Sequence, residues 1–141
     1  MKDIDHARDL LKLARADLKA LAGMRDPETF TDAIFGFHAQ QAIEKGLKAW
    51  LATLGAAYPK THDLRLLLTL LEERNQDVEG LWDLLEFNPY AVQLRYDWTP
   101  EEAPLDRQGV VEQVTALLVK VADKIEGGPD DPHRRRLSRH G

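Results

Sequence analysis

The hydrophobic positions of the chain recur mainly at intervals of three and four residues, the periodicity of an α-helix with one buried face. The first such segment runs from about Ile4 to Leu21, and its apolar stripe contains Ile4, Ala7, Leu11, Ala14, Leu18 and Leu21. Asp3 or Asp5 can cap the start of this helix, and Gly23 is a suitable stop. The pattern therefore predicts an opening amphipathic helix.

A second and longer helix is predicted to begin at Asp26, a good N-cap, and to run to Leu54 before Gly55. The expected apolar anchors of its first half are Phe30, Ile34 and Phe37. Small residues that let a neighbouring helix approach closely lie along it: Gly36, Ala39, Ala42, Gly46 and Ala49. Because an interior glycine costs about 1 kcal/mol in a helix, we interpret this segment as the central helix of a bundle.

Three further segments complete the predicted secondary structure. Thr61 is the expected N-cap of a leucine-rich third helix over about residues 62–74. Residues 79–96 are predicted to form two short helical pieces separated by Asn88-Pro89, and a last helix is predicted over about residues 106–126. Together these segments predict an all-α, up-and-down helical bundle of four to five helices.

Length and charge divide the chain into two parts. A length of 141 residues favours one domain, and we predict the bundle over residues 1–127 and a mobile arginine-rich tail over residues 128–141. The tail holds four Arg and two Asp, which leaves 15 basic and 22 acidic residues elsewhere, a net charge of −7. Contact between so acidic a body and a nucleotide or RNA requires a local basic patch.

Several classes of protein are disfavoured by composition. The absence of cysteine excludes a disulfide scaffold, a thiolate metal site and a cysteine nucleophile. No apolar run approaches the roughly 20 residues that span a bilayer, and the acidic start is unlike a signal peptide. We expect a cytoplasmic protein with no membrane contact. No metal-ligand motif such as HExxH occurs, so neither a metal nor a cofactor is predicted.

Three blocks of the sequence resemble the HEPN domain of prokaryotes and higher eukaryotes. They are FHAQQAIEKGLKAWL, PKTHDLRLLL and LRYDW, in that order. The matching positions are His38, Gln41, Glu44, Lys45, Lys48, Ala49, Thr61, His62, Asp63, Leu64, Arg95 and Tyr96. The resemblance spans roughly residues 5–126. It implies an all-α bundle, usually dimeric, linked to nucleotide or RNA binding and to a separate minimal nucleotidyltransferase in a toxin–antitoxin or stress and defence module.

With this resemblance, seven residues become candidate contacts for a nucleotide or RNA: His38, Gln41, Lys45, Lys48, His62, Arg95 and Tyr96. The first four recur at spacings of three, four and three, which places them on one stripe of a helix. Lys and Arg can bind phosphate, Gln and His can read polar edges, and Tyr can stack on a base. The alternative is structural: Glu44 and Lys48 pair at i and i+4, and polar groups connect neighbouring helices.

Some members of the family are metal-independent ribonucleases, which carry an Arg followed after four to six residues by a His. The corresponding positions after Arg95 hold Pro100, Glu101 and Glu102. Arg135 and His140 match the spacing, but they lie in the predicted tail, which cannot hold a catalytic pair rigidly. We therefore predict no catalytic residues, and a binding protein rather than an enzyme.

Two alternatives remain open at this stage. One is an interaction or structural homodimer in which the polar stripe and Arg95 form the interface without a ligand. The other is a ribonuclease that uses His38 or His62 in place of the missing histidine.

Overall fold

The computed structural model describes residues 3–92 and 105–127. Within them it contains helices and no strand: α1 spans Ile4–Gly23, α2 Asp32–Thr53, α3 Leu64–Glu73, a 3₁₀ helix Trp82–Val92, and α4 Arg107–Gly127. The predicted all-α bundle is confirmed. Both α1 and α4 agree with their predicted bounds to within two residues. Arg95, Tyr96 and the arginine-rich tail lie outside the described residues.

The centre of the bundle is α2, as predicted. The other three α-helices and the 3₁₀ helix all pack against it. Its small residues are buried at these contacts: Gly36, Ala39, Ala42, Gly46 and Ala49. A helix enclosed on several sides cannot leave its polar groups to water, so those groups need partners within the protein. No helix in the described ranges combines the length and the apolar composition that crossing a membrane requires.

The predicted start of α2 at Asp26 is wrong. Asp26 caps one isolated turn, in which its carboxylate accepts bonds from the Glu28 N–H at 3.0 Å and the Thr29 hydroxyl at 2.7 Å. These bonds lower the pKa of Asp26, the Thr29 hydroxyl contributing most. The helix itself begins at Asp32, after Thr31 has supplied a second cap.

Two side-chain contacts explain why the first turn does not continue into α2. Thr31 Oγ1 accepts the Ile34 N–H at 3.3 Å, and Arg107 donates to the Phe30 carbonyl at 2.8 Å. In a continuous helix that N–H and that carbonyl would bond to each other. The expected anchor Ile34 is consequently 44% exposed, whereas Phe35 is fully buried, with the Arg107 guanidinium 4.9 Å from the centre of its ring.

The predicted N-cap of the third helix, Thr61, is also wrong. Asp63 is the N-cap and accepts the Arg65 N–H at 3.0 Å, while Thr61 accepts the Asp63 N–H. Asn88 decides between the two: its amide donates to Asp63 at 2.9 Å, and its oxygen accepts the Leu64 N–H at 2.8 Å. A tertiary contact thus selects one of two residues with similar capping propensity.

A break at Asn88-Pro89 is not observed. The 3₁₀ helix continues through both residues as far as Val92. The contacts between Asn88 and the start of α3 hold this segment against the bundle. The chain therefore forms one tightly wound piece where the sequence predicts two.

Two tertiary contacts attach the 3₁₀ helix and the start of α4 to α2 and to the connection that precedes it. The ring of Tyr90 in the 3₁₀ helix lies directly on Gly36 of α2, where a Cβ atom would collide with it. Arg107, only 8% exposed, donates to the Met24 carbonyl at 2.9 Å, the Phe30 carbonyl at 2.8 Å and the Asp32 carboxylate at 2.7 Å. Arg107 thereby joins α4 to the connection between α1 and α2.

Replacing Gly36 by Ala is expected to destabilise the protein by about 1–3 kcal/mol, because the buried Tyr90 ring must move as a whole. Urea unfolding followed by circular dichroism measures the change. Gly23→Ala is the matched control, because its new methyl group would meet no atom within 4 Å. Equal stabilities of the two variants would contradict the packing described.

Replacing Arg107 by Ala is expected to lower the free energy of unfolding by about 3–5 kcal/mol, because Asp32 and two carbonyls lose their donor. Arg107→Lys should recover part of the loss, since an ammonium group cannot reach all three acceptors in the same geometry. The exposed Arg65→Ala serves as the control, with an expected change within about 0.5 kcal/mol. An Arg107→Ala protein as stable as that control would rule out the proposed role.

Candidate functional site

The polar stripe of α2 divides into two clusters centred on two carboxylates. His38 and Lys45, seven residues apart, turn towards α1 and bond to Asp17. Lys48 turns the other way and bonds to Glu44 of its own helix. Gln41 donates to Gln40 at 2.7 Å and so joins the second cluster. The sequence places all four candidates on one side of the helix, but the structure gives them different partners.

The first cluster connects α1 to α2. Its His38 Nδ1 lies 3.1 Å from Asp17 Oδ1, and its Lys45 ammonium group lies 2.7 Å from Asp17 Oδ2. The Asp17 side chain is only 14% exposed, so this bidentate arrangement satisfies a carboxylate that is largely removed from water. His38 and Lys45 are therefore explained by the bonds that they form between α2 and α1.

The second cluster surrounds Glu44, whose side chain is 6% exposed. Lys48 donates to Oε2 at 2.9 Å, while Gln40 at 2.9 Å and His62 Nδ1 at 2.8 Å both contact Oε1. Gln40 also donates to the His62 carbonyl at 3.0 Å. The segment before α3 is therefore fixed to the middle of α2 through both the side chain and the backbone of one residue.

The charge of Glu44 is retained despite its burial. Burial alone would raise its pKa, but the hydrogen bonds from Lys48, Gln40 and His62, together with the charge of Lys48, outweigh that effect and lower the pKa below its ordinary value of about 4.5. An ionised carboxylate only accepts hydrogen bonds. The Nδ1 atom of His62 must therefore carry the proton in this contact.

Among the described candidates, His62 is the one that remains open to a ligand. Its side chain is 70% exposed although Nδ1 is held by a buried carboxylate. With Nδ1 protonated, Nε2 of the neutral ring is an acceptor. Lys48, by contrast, is only 15% exposed, and its ammonium lies 5.8 Å from the centre of the Tyr58 ring. The cluster therefore offers one oriented imidazole beside a largely neutralised lysine.

Sequence reasoning missed three residues that build these clusters: Asp17, Gln40 and Asn88. For Asp17 a signal existed, because it falls on the apolar stripe of α1 at the three-four spacing from Ala14 and Leu21. An acid on a buried face needs a partner. Nothing local identifies Asn88, whose role depends on where the 3₁₀ helix packs. Within the described ranges, no three acidic or histidine side chains are grouped as a metal site.

Replacing Glu44 by Gln is expected to lower stability by roughly 3 kcal/mol at pH 7, because Lys48 and His62 lose a charged acceptor. Since the folded state depresses the pKa of Glu44, its contribution is present above pH about 4.5 and is lost as the pH falls through the lower, folded value. Glu44→Gln should therefore flatten the loss of stability in acid, as measured by thermal melts from pH 7 to pH 3. The exposed Glu72→Gln is the control. A Glu44→Gln profile parallel to that of the wild type would refute the linkage.

The comparison with known families agrees with this architecture. The HEPN domain model matches residues 7–125, which is most of the chain. Comparisons with curated proteins and with solved structures found no significant match. The family supports a nucleotide- or RNA-related function in general. The length of the match and the all-α bundle together establish that the chain belongs to the HEPN domain family.

Proposed function

We propose that this protein is a nucleotide- or RNA-binding HEPN domain whose contact centres on His62. The observation that carries the proposal is an exposed imidazole held at Nδ1 by the buried Glu44 carboxylate. An exposed side chain loses conformational freedom when it is held in this way. The arrangement orients Nε2 towards solvent, where it can meet a base edge, a ribose hydroxyl or, when protonated, a phosphate.

The other six candidates fall into three groups. Gln41 and Lys48 belong to the Glu44 cluster and would form its rim. Arg95 and Tyr96, proposed for phosphate contact and base stacking, lie outside the described residues. His38 and Lys45 are occupied by Asp17, and we assign them a ligand contact only if a ligand displaces that pairing.

The cellular setting is proposed from the family. Many HEPN domains are linked to a minimal nucleotidyltransferase, as a separate chain or a fused domain, and we propose a separate partner of this kind, in a cytoplasmic toxin–antitoxin or stress and defence module. A homodimer is proposed on the same grounds.

A second candidate is a structural homodimer without a ligand. It is favoured by one specific observation: every described lysine and histidine of the seven candidates is bonded to a carboxylate within the chain. Pairing of this kind stabilises a bundle whether or not anything binds. A ribonuclease has weaker support: the His62–Glu44 pair could move a proton, but Arg95, the residue that would steady the phosphate charge, lies outside the described residues.

We expect calorimetric titration with ATP, and then with a short RNA in metal-free buffer, to show saturable binding. His62→Ala should weaken it at least tenfold, because a hydrogen bond to a charged group contributes about 1.5–3 kcal/mol. Lys48→Ala and Arg95→Ala should weaken it as well. Arg25→Ala, which changes an exposed residue outside the Glu44 cluster, is the control.

The outcomes separate the candidates. Binding that survives His62→Ala unchanged would refute the proposed site. No heat at high protein concentration, together with variants that alter only the oligomeric mass measured by light scattering, would establish the structural dimer instead. RNA shortened on a gel in a His62-dependent manner would establish the ribonuclease.

A further inference from the structure

A row of four cations runs along the outer face of α1: Arg8, Lys12, Arg15 and Lys19. Their spacings of four, three and four residues place them within about 60° around the helix axis, over a length of about 16 Å. All four are exposed. This basic row lies on the side of α1 away from Asp17, which faces α2.

The row borders a groove between α1 and α4 with a volume of about 360 Å³. Its floor is apolar and is formed by Leu11, Ala122 and Ile125. Three cations of the row line the groove together with one carboxylate, Glu126, so the lining carries a formal charge of +2. A groove with cationic walls and an apolar floor suits a ligand that is itself anionic on one side and apolar on another.

Few carboxylates lie near the basic row. Arg8 contacts Asp5 at 3.5 Å, an exposed pair that contributes little. Asp9, also exposed, lies three residues before Lys12 and about 60° around the helix from it, but the two form no ion pair. Lys12, Arg15 and Lys19 make no ion pair with any described carboxylate. They therefore keep their charge for a partner.

The lysines of α2, in contrast, are paired with carboxylates. Lys45 is neutralised by Asp17 and Lys48 by Glu44. The His62 site thus supplies oriented hydrogen bonds but little net positive charge. Among the described residues, the attraction between a polyanion and this chain of net charge −5 must therefore come from another surface.

We infer that the basic row and its groove bind the sugar–phosphate backbone of single-stranded RNA. This inference rests on the proposed function and adds to it a second surface, on a different helix. A nucleic-acid backbone presents charges at regular intervals along a line, which the row matches. An unpaired strand also exposes apolar faces of its bases and sugars, which the floor of Leu11, Ala122 and Ile125 can cover.

The test measures binding of a fluorescent twelve-nucleotide oligouridine RNA to the full chain by anisotropy, from 50 to 300 mM salt. The double variant Lys12→Gln/Arg15→Gln removes two cations from the middle of the row, and Gln keeps the helix propensity. The matched control is Arg25→Gln/Arg74→Gln, which removes the same charge from exposed positions outside the row. Circular dichroism verifies that both variants are folded.

We expect the row variant to bind about tenfold more weakly at 50 mM salt. The slope of log affinity against log salt should fall by about 1.4, which corresponds to two phosphate contacts on a single strand. The control should retain the wild-type slope. A row variant that behaves like the control would overturn the inference, as would equal displacement of the RNA by an oligoglutamate peptide of the same charge.

The two proposals fail in different ways. Wild-type binding of RNA that depends on His62 but not on Lys12 and Arg15 removes the inference and leaves the proposed function. Dependence on the row without dependence on His62 removes the His62 site and leaves the row. Absence of any RNA binding by the wild type removes the row as an RNA surface, while ATP binding that requires His62 would still support the nucleotide site.

Discussion

The buried Glu44 carboxylate is the constraint on which the arrangement around α2 depends. A helix enclosed by four neighbours has almost no face for charged groups, yet α2 carries one acid and two lysines in the residues 44–48. The acid remains ionised because three donors from two parts of the chain surround it. The same bonds fix the segment before α3, so the position of one exposed histidine follows from the solvation of one buried charge.

Periodicity predicted the order of the four α-helices and the bounds of α1 and α4 to within two residues. It failed where two residues compete for one local role. Asp26 and Thr31 are both acceptable caps, as are Thr61 and Asp63, and the choice depends on Arg107 and Asn88, which are remote in sequence. Spacing was also insufficient for the polar stripe. It shows that His38 and Lys48 share a side of α2, but not that His38 bonds to α1 and Lys48 to Glu44.

The distribution of charge separates two tasks within one small bundle. On α2, cations are matched by carboxylates, which gives fixed geometry and little long-range attraction. On α1, the cations are exposed to solvent, which gives long-range attraction for anions and little fixed geometry. Orientation and attraction place opposite demands on a side chain, since one requires partners and the other requires their absence. Placing them on separate helices removes that conflict.

The contacts of Arg107 have a consequence for the order in which the chain folds. Its bonds to the Met24 and Phe30 carbonyls span 83 and 77 residues, whereas α1 and α2 meet through a short connection. Local contacts form at a lower cost in loop-closure entropy than distant ones. The α1–α2 hairpin can therefore assemble early during synthesis, but its connecting turn keeps two carbonyls without their guanidinium donor until α4 has emerged from the ribosome.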